Sequence, residues 1–119
     1  MYSIKSRIWI EGQDGVFLGE GRVKLLKAII EEGSLSKAAL SINMSYKKAW
    51  ELIDSMNQNS KKPIVTKITG GSNGGGTFVT DYGKQMIKNF DYVNQRCWGF
   101  LDNELKSFNY SDESRSKHI

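Results

Sequence analysis

A single cysteine, a single proline and a single histidine are all that the sequence holds of three residue types that mark stapled, loop-rich or metal-dependent chains. Cys97 has no partner with which to close an internal disulfide. With His118 in a polar stretch, no zinc site of ordinary ligand spacing can be drawn, so neither metal nor cofactor is expected. No pair of residues offers a nucleophile beside a base, so the chain is not expected to be an enzyme. Long apolar runs are missing too: nothing approaches the roughly 18 residues that a membrane helix requires, and MYSIKSRIWIEG lacks the apolar stretch of a secretory signal. A soluble cytoplasmic protein is expected. The length of 119 residues suits one domain, placed at residues 1–110, with the polar residues 111–119 as a disordered tail.

Positive charge is present and unevenly spread. The net charge is +4, a weak sign by itself. From Arg22 to Lys67, however, nine Lys/Arg stand against four acids, whereas elsewhere eight stand against nine. That basic middle coincides with a series of helical periods. Around the turn Gly12-Gln13-Asp14-Gly15, the alternation of Arg7 to Glu11 and the run Val16-Phe17-Leu18 predict an N-terminal β-hairpin. Val23, Leu26 and Ile30 then form one apolar stripe of a helix over about Arg22 to Glu32, ended by Gly33.

Ser34 is placed to cap a second helix over Leu35 to Ile42, Asn43 to take a left-handed turn, and Ser45 to cap a third helix from Tyr46 to about Gln58. After Pro63, Ile64 to Ile68 and Thr77 to Val79 predict a second hairpin around the glycine-crowded GGSNGGGT. Thr80 then begins a last helix, Asp81 to about Ser107, carrying Met86, Phe90, Val93, Cys97, Phe100, Leu101 and Leu105 at intervals of three or four. The fold class is therefore α+β, mainly α: a winged helix-turn-helix with an N-terminal hairpin and a long C-terminal helix. A helix of about 27 residues is ~40 Å long. It is expected to make a homodimer by burying Val93, Cys97, Trp98, Phe100, Leu101 and Leu105.

A helix-turn-helix places its second helix in the major groove of double-stranded DNA, with the residues at its N-terminal end against base edges. Ser45, Tyr46, Lys47 and Lys48 occupy that end. Lys47 suits guanine O6 and N7, Ser45 or Tyr46 a phosphate, and Glu51 cytosine N4. Ser36 and Lys37 open the helix that crosses the backbone, and Lys67, Ser72, Asn73 and Thr77 complete the contact set from the wing. Trp50 is assigned to the core, and Arg22, Lys24 and Lys27 to a charged face. The glycine turn is not a nucleotide-phosphate loop, because no Lys precedes Thr77 and a strand follows.

These pieces resemble the DNA-binding domain of the molybdate-responsive ModE regulators, a LysR-like branch of winged helix-turn-helix proteins. The resemblance covers about Ser6 to Tyr92. It rests on Leu18-Gly-Glu-Gly-Arg22 with Leu25-Leu26, Gly33-Ser34-Leu35-Ser36-Lys37-Ala38-Ala39, Met44-Ser45-Tyr46-Lys47-Lys48-Ala49-Trp50, Met56-Asn57, the glycine wing, and Thr80-Asp81-Tyr82-Gly83. It implies that Ser45, Tyr46 and Lys47 begin the recognition helix and that the Gly70 to Gly76 tip approaches the DNA backbone. Two departures stand out: members of the family usually carry glycine at Asn43 and a lysine at Ser72 or Asn73. Members also continue into oxyanion-binding domains that this sequence does not include, so the resemblance carries over DNA recognition in a stand-alone form and not a response to molybdate. A small oxyanion effector at a dimer interface, near a helix start such as that after Thr80 or Ser34, has no residue in its support. The competing expectation is a winged-helix module that uses the same surfaces to bind a protein.

Overall fold

Alternation in Trp9-Ile10-Glu11 and the glycines around Gln13-Asp14 produce the first hairpin, β1 (Trp9–Gly12) against β2 (Gly15–Gly19). The structure, a computed structural model, describes residues 1–68 and 76–117, with side chains as far as residue 111. Pairing shifts between Ile10 and Glu11, whose partners are Leu18 and Val16, so Phe17 is the extra residue of a bulge. That shift lets Leu18 turn inward to 1% exposure while Trp9 stays half exposed. The turn is anchored from outside the hairpin, where the Asp14 amide donates to Asn59 Oδ1 at 2.9 Å.

Helices follow as α1 (Glu20–Glu32), α2 (Leu35–Ser41) and α3 (Tyr46–Gln58), then β3 (Val65–Ile68), β4 (Gly76–Val79) and α4 (Asp81–Lys117). The chain is α+β and mainly helical, a winged helix-turn-helix with a long C-terminal helix. Each helix end has a local cause. Gly33 adopts φ 68°, a left-handed conformation that glycine enters at least cost, and its amide donates to Ile29 O. Ser34 Oγ accepts from Lys37 N at 3.4 Å and Ser45 Oγ from Lys48 N at 3.1 Å, each satisfying an amide that the helix cannot.

The chain divides into two compact units, Ile8–Phe90 and a second made of Met1–Arg7 with the residues from Asp91 onward. Among the described residues, the buried apolar core ends at Phe90. In the first unit, Leu25, Leu26, Ala38, Ala49, Met56 and Ile64 are wholly buried, joining α1, α2, α3 and the base of the β3–β4 hairpin. Each large one contributes about 1.5–3 kcal/mol of transfer free energy. Ala38 and Ala39 are small enough for α1 and α3 to approach α2 closely.

In the second unit, α4 runs to Lys117 rather than stopping near Ser107, so Ser111 to Lys117, expected as a disordered tail, are helical. Extending a formed helix adds one hydrogen bond for each residue fixed, which carries it through polar sequence that would not nucleate one. His118 and Ile119 lie outside the described residues.

The junction of β4 and α4 leaves no room for a side chain at Gly83. Thr80 N donates to Ile64 O at 2.9 Å, Thr80 Oγ1 donates to Pro63 O at 2.7 Å, and the same hydroxyl caps α4 by accepting from Gly83 N at 2.9 Å. A Cβ on Gly83 would sit 2.5 Å from Ile64 O and 2.8 Å from Val79 Cγ1. Gly83→Ala is therefore expected to lower stability by about 1–3 kcal/mol, read from urea denaturation. Gly99→Ala, where a Cβ meets nothing within 4 Å, serves as the control and is expected to gain up to about 1 kcal/mol.

Candidate nucleic-acid interface

Between α2 and α3 the chain turns in four residues, Ile42 to Ser45, and the turn is held by backbone hydrogen bonds. Asn43 N donates to Leu40 O at 3.1 Å and Met44 N to Ala39 O at 2.8 Å. Asn43 takes φ 57°, the one left-handed residue other than glycine among those described. Asn tolerates that region better than most side chains, which explains how it stands in for glycine. The result presents the first turn of α3 to solvent: Ser45, Tyr46, Lys47 and Lys48 are all exposed, and so is Glu51 one turn on. The amides of that turn and the two lysine charges make it an anion-favouring helix end.

The other expected contact residues divide into four groups. Ser36 and Lys37 are exposed at the start of α2, where Ser36 Oγ lies 3.1 Å from Ser34 Oγ. Lys67 is exposed on β3, its Nζ 5.0 Å from the centroid of Trp50 on α3. Thr77 is a correction: it is 4% exposed on β4, opposite Lys67, so its hydroxyl is not presented to a ligand. Strand alternation is the reason, since Val79 turns into the core and takes Thr77 with it, leaving Phe78 44% exposed. Ser72, Asn73 and the Gly70 to Gly75 stretch of the expected tip lie outside the described residues.

Trp50 is half-buried against the core rather than within it, and Tyr46 meets it edge-on with centroids 6.3 Å apart at 86°.

Sequence reading missed the residues that hold this surface in place. Asn57, near the end of α3, accepts at Oδ1 from Ile64 N (2.8 Å) and Val65 N (3.2 Å) and donates from Nδ2 to Val65 O (3.1 Å). One side chain thus satisfies three backbone groups and fixes where β3 leaves α3. Arg22, assigned to a charged face, is half-buried and donates from Nη1 to Ser55 Oγ at 2.9 Å, tying α1 to α3. Burial lowers its pKa from the ordinary value, though a guanidinium stays charged in proteins. Both are contacts between elements, without a local signature beyond the Met56-Asn57 pair itself.

The second unit contains the residues expected to join two copies. Val93 and Phe100 are exposed, at 47% and 64%, while Cys97, Trp98, Leu101 and Leu105 are half-buried. The N-terminal segment lies on the same helix. Tyr2 N donates to Asn109 Oδ1 at 3.0 Å, and the Tyr2 ring meets Phe108 edge-on at 5.2 Å. Leu105 lines a cavity of about 400 Å³ there with Tyr2, Ile4 and Phe108. Among the described residues no helix is long and apolar enough to cross a membrane.

No protein-family model matches the chain. Similarity to individual proteins is clear. The chain is 42% identical over 82 residues to the molybdenum transport protein ModE of Azotobacter vinelandii, covering 69% of this chain and 30% of that one. It is 41% identical over 83 residues to the DNA-binding transcriptional dual regulator ModE of Escherichia coli K12 (70% and 32%). It is 37% identical over 95 residues to the molybdenum-pterin-binding protein MopB of Rhodobacter capsulatus (80% and 35%). The chain spans about a third of the length of these curated relatives. Over about seven-tenths of its residues, the chain is similar to proteins named as ModE transcriptional regulators.

Proposed function

We propose that the chain is a sequence-specific DNA-binding transcriptional regulator that acts in the cytoplasm and serves molybdate or metal-oxyanion metabolism. The observation that carries this reading is the exposed first turn of α3, Ser45 to Lys48, presented by a helix-turn-helix with Lys67 of β3 beside it. The α3 helix enters the major groove, Lys47 reads guanine, Glu51 reaches cytosine, and Ser36, Lys37, Lys48 and Lys67 bind phosphates. The tip at Ser72 and Asn73 adds backbone contacts. The names of the relatives support the link to molybdenum. Two copies pair through Val93, Cys97, Trp98, Phe100, Leu101 and Leu105, and their two-fold axis calls for a roughly palindromic operator with half-sites about 34 Å apart or a multiple of it.

A second reading is favoured by exposed apolar side chains on the same unit: Leu40 is 81% exposed, Ile68 58% and Phe78 44%. These suit a protein partner better than a phosphate backbone. Fluorescence anisotropy against a duplex from the chain's own upstream region and a shuffled control, over a salt series, separates the two. With three phosphate-binding lysines per protomer, the dimer is expected to show a log–log salt slope of about −5 and a clear preference for the upstream duplex. Weak binding that is equal on both duplexes favours the protein partner.

A further inference from the structure

Lys67 and Trp50 lie on different elements, and their contact is a functional device if the surface binds DNA as proposed. Lysine is a flexible stem that ends in a strongly hydrated point charge, and an unrestrained one loses much of its freedom when it clamps a phosphate. Here the ammonium is already placed, 5.0 Å from the Trp50 ring centroid. Trp50 is itself fixed, half-buried against the core, with Tyr46 edge-on to it. Tryptophan offers the strongest aromatic face for a cation. The ring occupies one side of the ammonium, and Lys67 is exposed, so donors remain for an anion on the other side.

We propose that Trp50 is a positioning residue for DNA binding, holding Lys67 of β3 against α3 so that the ammonium and the Ser45–Lys48 turn meet the phosphate backbone as one prearranged surface. The device also couples the wing to the recognition helix: strand β3 carries its charge to a fixed place beside α3. The chemistry recognised is the phosphodiester backbone, so the effect is independent of base sequence.

The test uses the full chain and a short duplex of arbitrary sequence at low salt, with Trp50→Leu, Trp50→Phe, Lys67→Met and the double variant Trp50→Leu/Lys67→Met. Trp50→Leu is expected to weaken binding about two- to fivefold, the factor that corresponds to a cation–π contact at an exposed site. Trp50→Phe, which keeps a ring, is expected to recover part of it. In the Lys67→Met background, Trp50→Leu is expected to change nothing further. In the free protein, the Lys67 ε-methylene protons are expected to show an upfield ring-current shift in NMR that Trp50→Leu removes. A purely structural Trp50 would weaken binding equally in both backgrounds, and that result overturns the proposal while leaving the DNA-binding reading intact. Absence of any binding by the unaltered chain, with the ring-current shift present, overturns the DNA-binding reading and this proposal with it.

Discussion

Asn57→Ala is expected to lower the stability of the Ile8–Phe90 unit by about 2–4 kcal/mol, because it strands two amide donors and one carbonyl where α3 hands over to β3. Ile64 is wholly buried and Val65 is 5% exposed, so water has poor access to the groups left behind. The loss is read from the midpoint of urea denaturation followed by circular dichroism. Asn57→Asp separates the parts: a carboxylate still accepts from Ile64 N and Val65 N but cannot donate to Val65 O, so its loss should be smaller. A loss under about 0.5 kcal/mol for Asn57→Ala, within the range of an ordinary surface change, would show that the clamp does not hold the hairpin.

Lys47→Ala should weaken binding to the preferred sequence by about 1–3 kcal/mol and binding to arbitrary DNA by much less, because a base contact carries sequence information and a phosphate contact does not. Anisotropy titrations on both duplexes measure the difference. Lys48→Ala, one residue on and also exposed, is assigned to phosphate and should weaken both alike, flattening the salt slope by about one unit for each lysine removed. An equal loss on both duplexes for Lys47→Ala would move Lys47 to the phosphate group and leave base reading to Glu51.

Apart from the start of α1 and the end of α4, the helix boundaries were legible in the sequence because their causes are local. Ser34, Ser45 and Thr80 each meet an amide three residues on, and Gly33 and Asn43 supply left-handed turns. The exposed first turn of α3 followed from the same signals. What escaped was set between elements. Nothing near Asn57 in the chain announces that its amide will serve the backbone of Ile64 and Val65, and Arg22 looks like one more surface cation until Ser55 is brought to it.

Thr77 was counted among the contact residues with no face assigned to it: Phe78 and Val79 are both apolar, and only packing decides which of them turns inward. The apolar stripe of α4 likewise runs without a break from Met86 to Leu105, so the end of the first unit's core at Phe90 is invisible until α1, α2 and α3 are in place. The helical state of Ser111 to Lys117 was missed for a related reason: composition reports whether a segment can start a helix, and this one continues a helix already formed.

Base reading by α3 is the central claim, and selection from a random pool of duplexes tests it whatever the operator is. The chain should enrich one recurring sequence, arranged as two half-sites if two copies bind, and Lys47→Ala should enrich a relaxed version of it. No enrichment by the unaltered chain, or the same weak retention of every sequence by both proteins, would contradict sequence reading by α3.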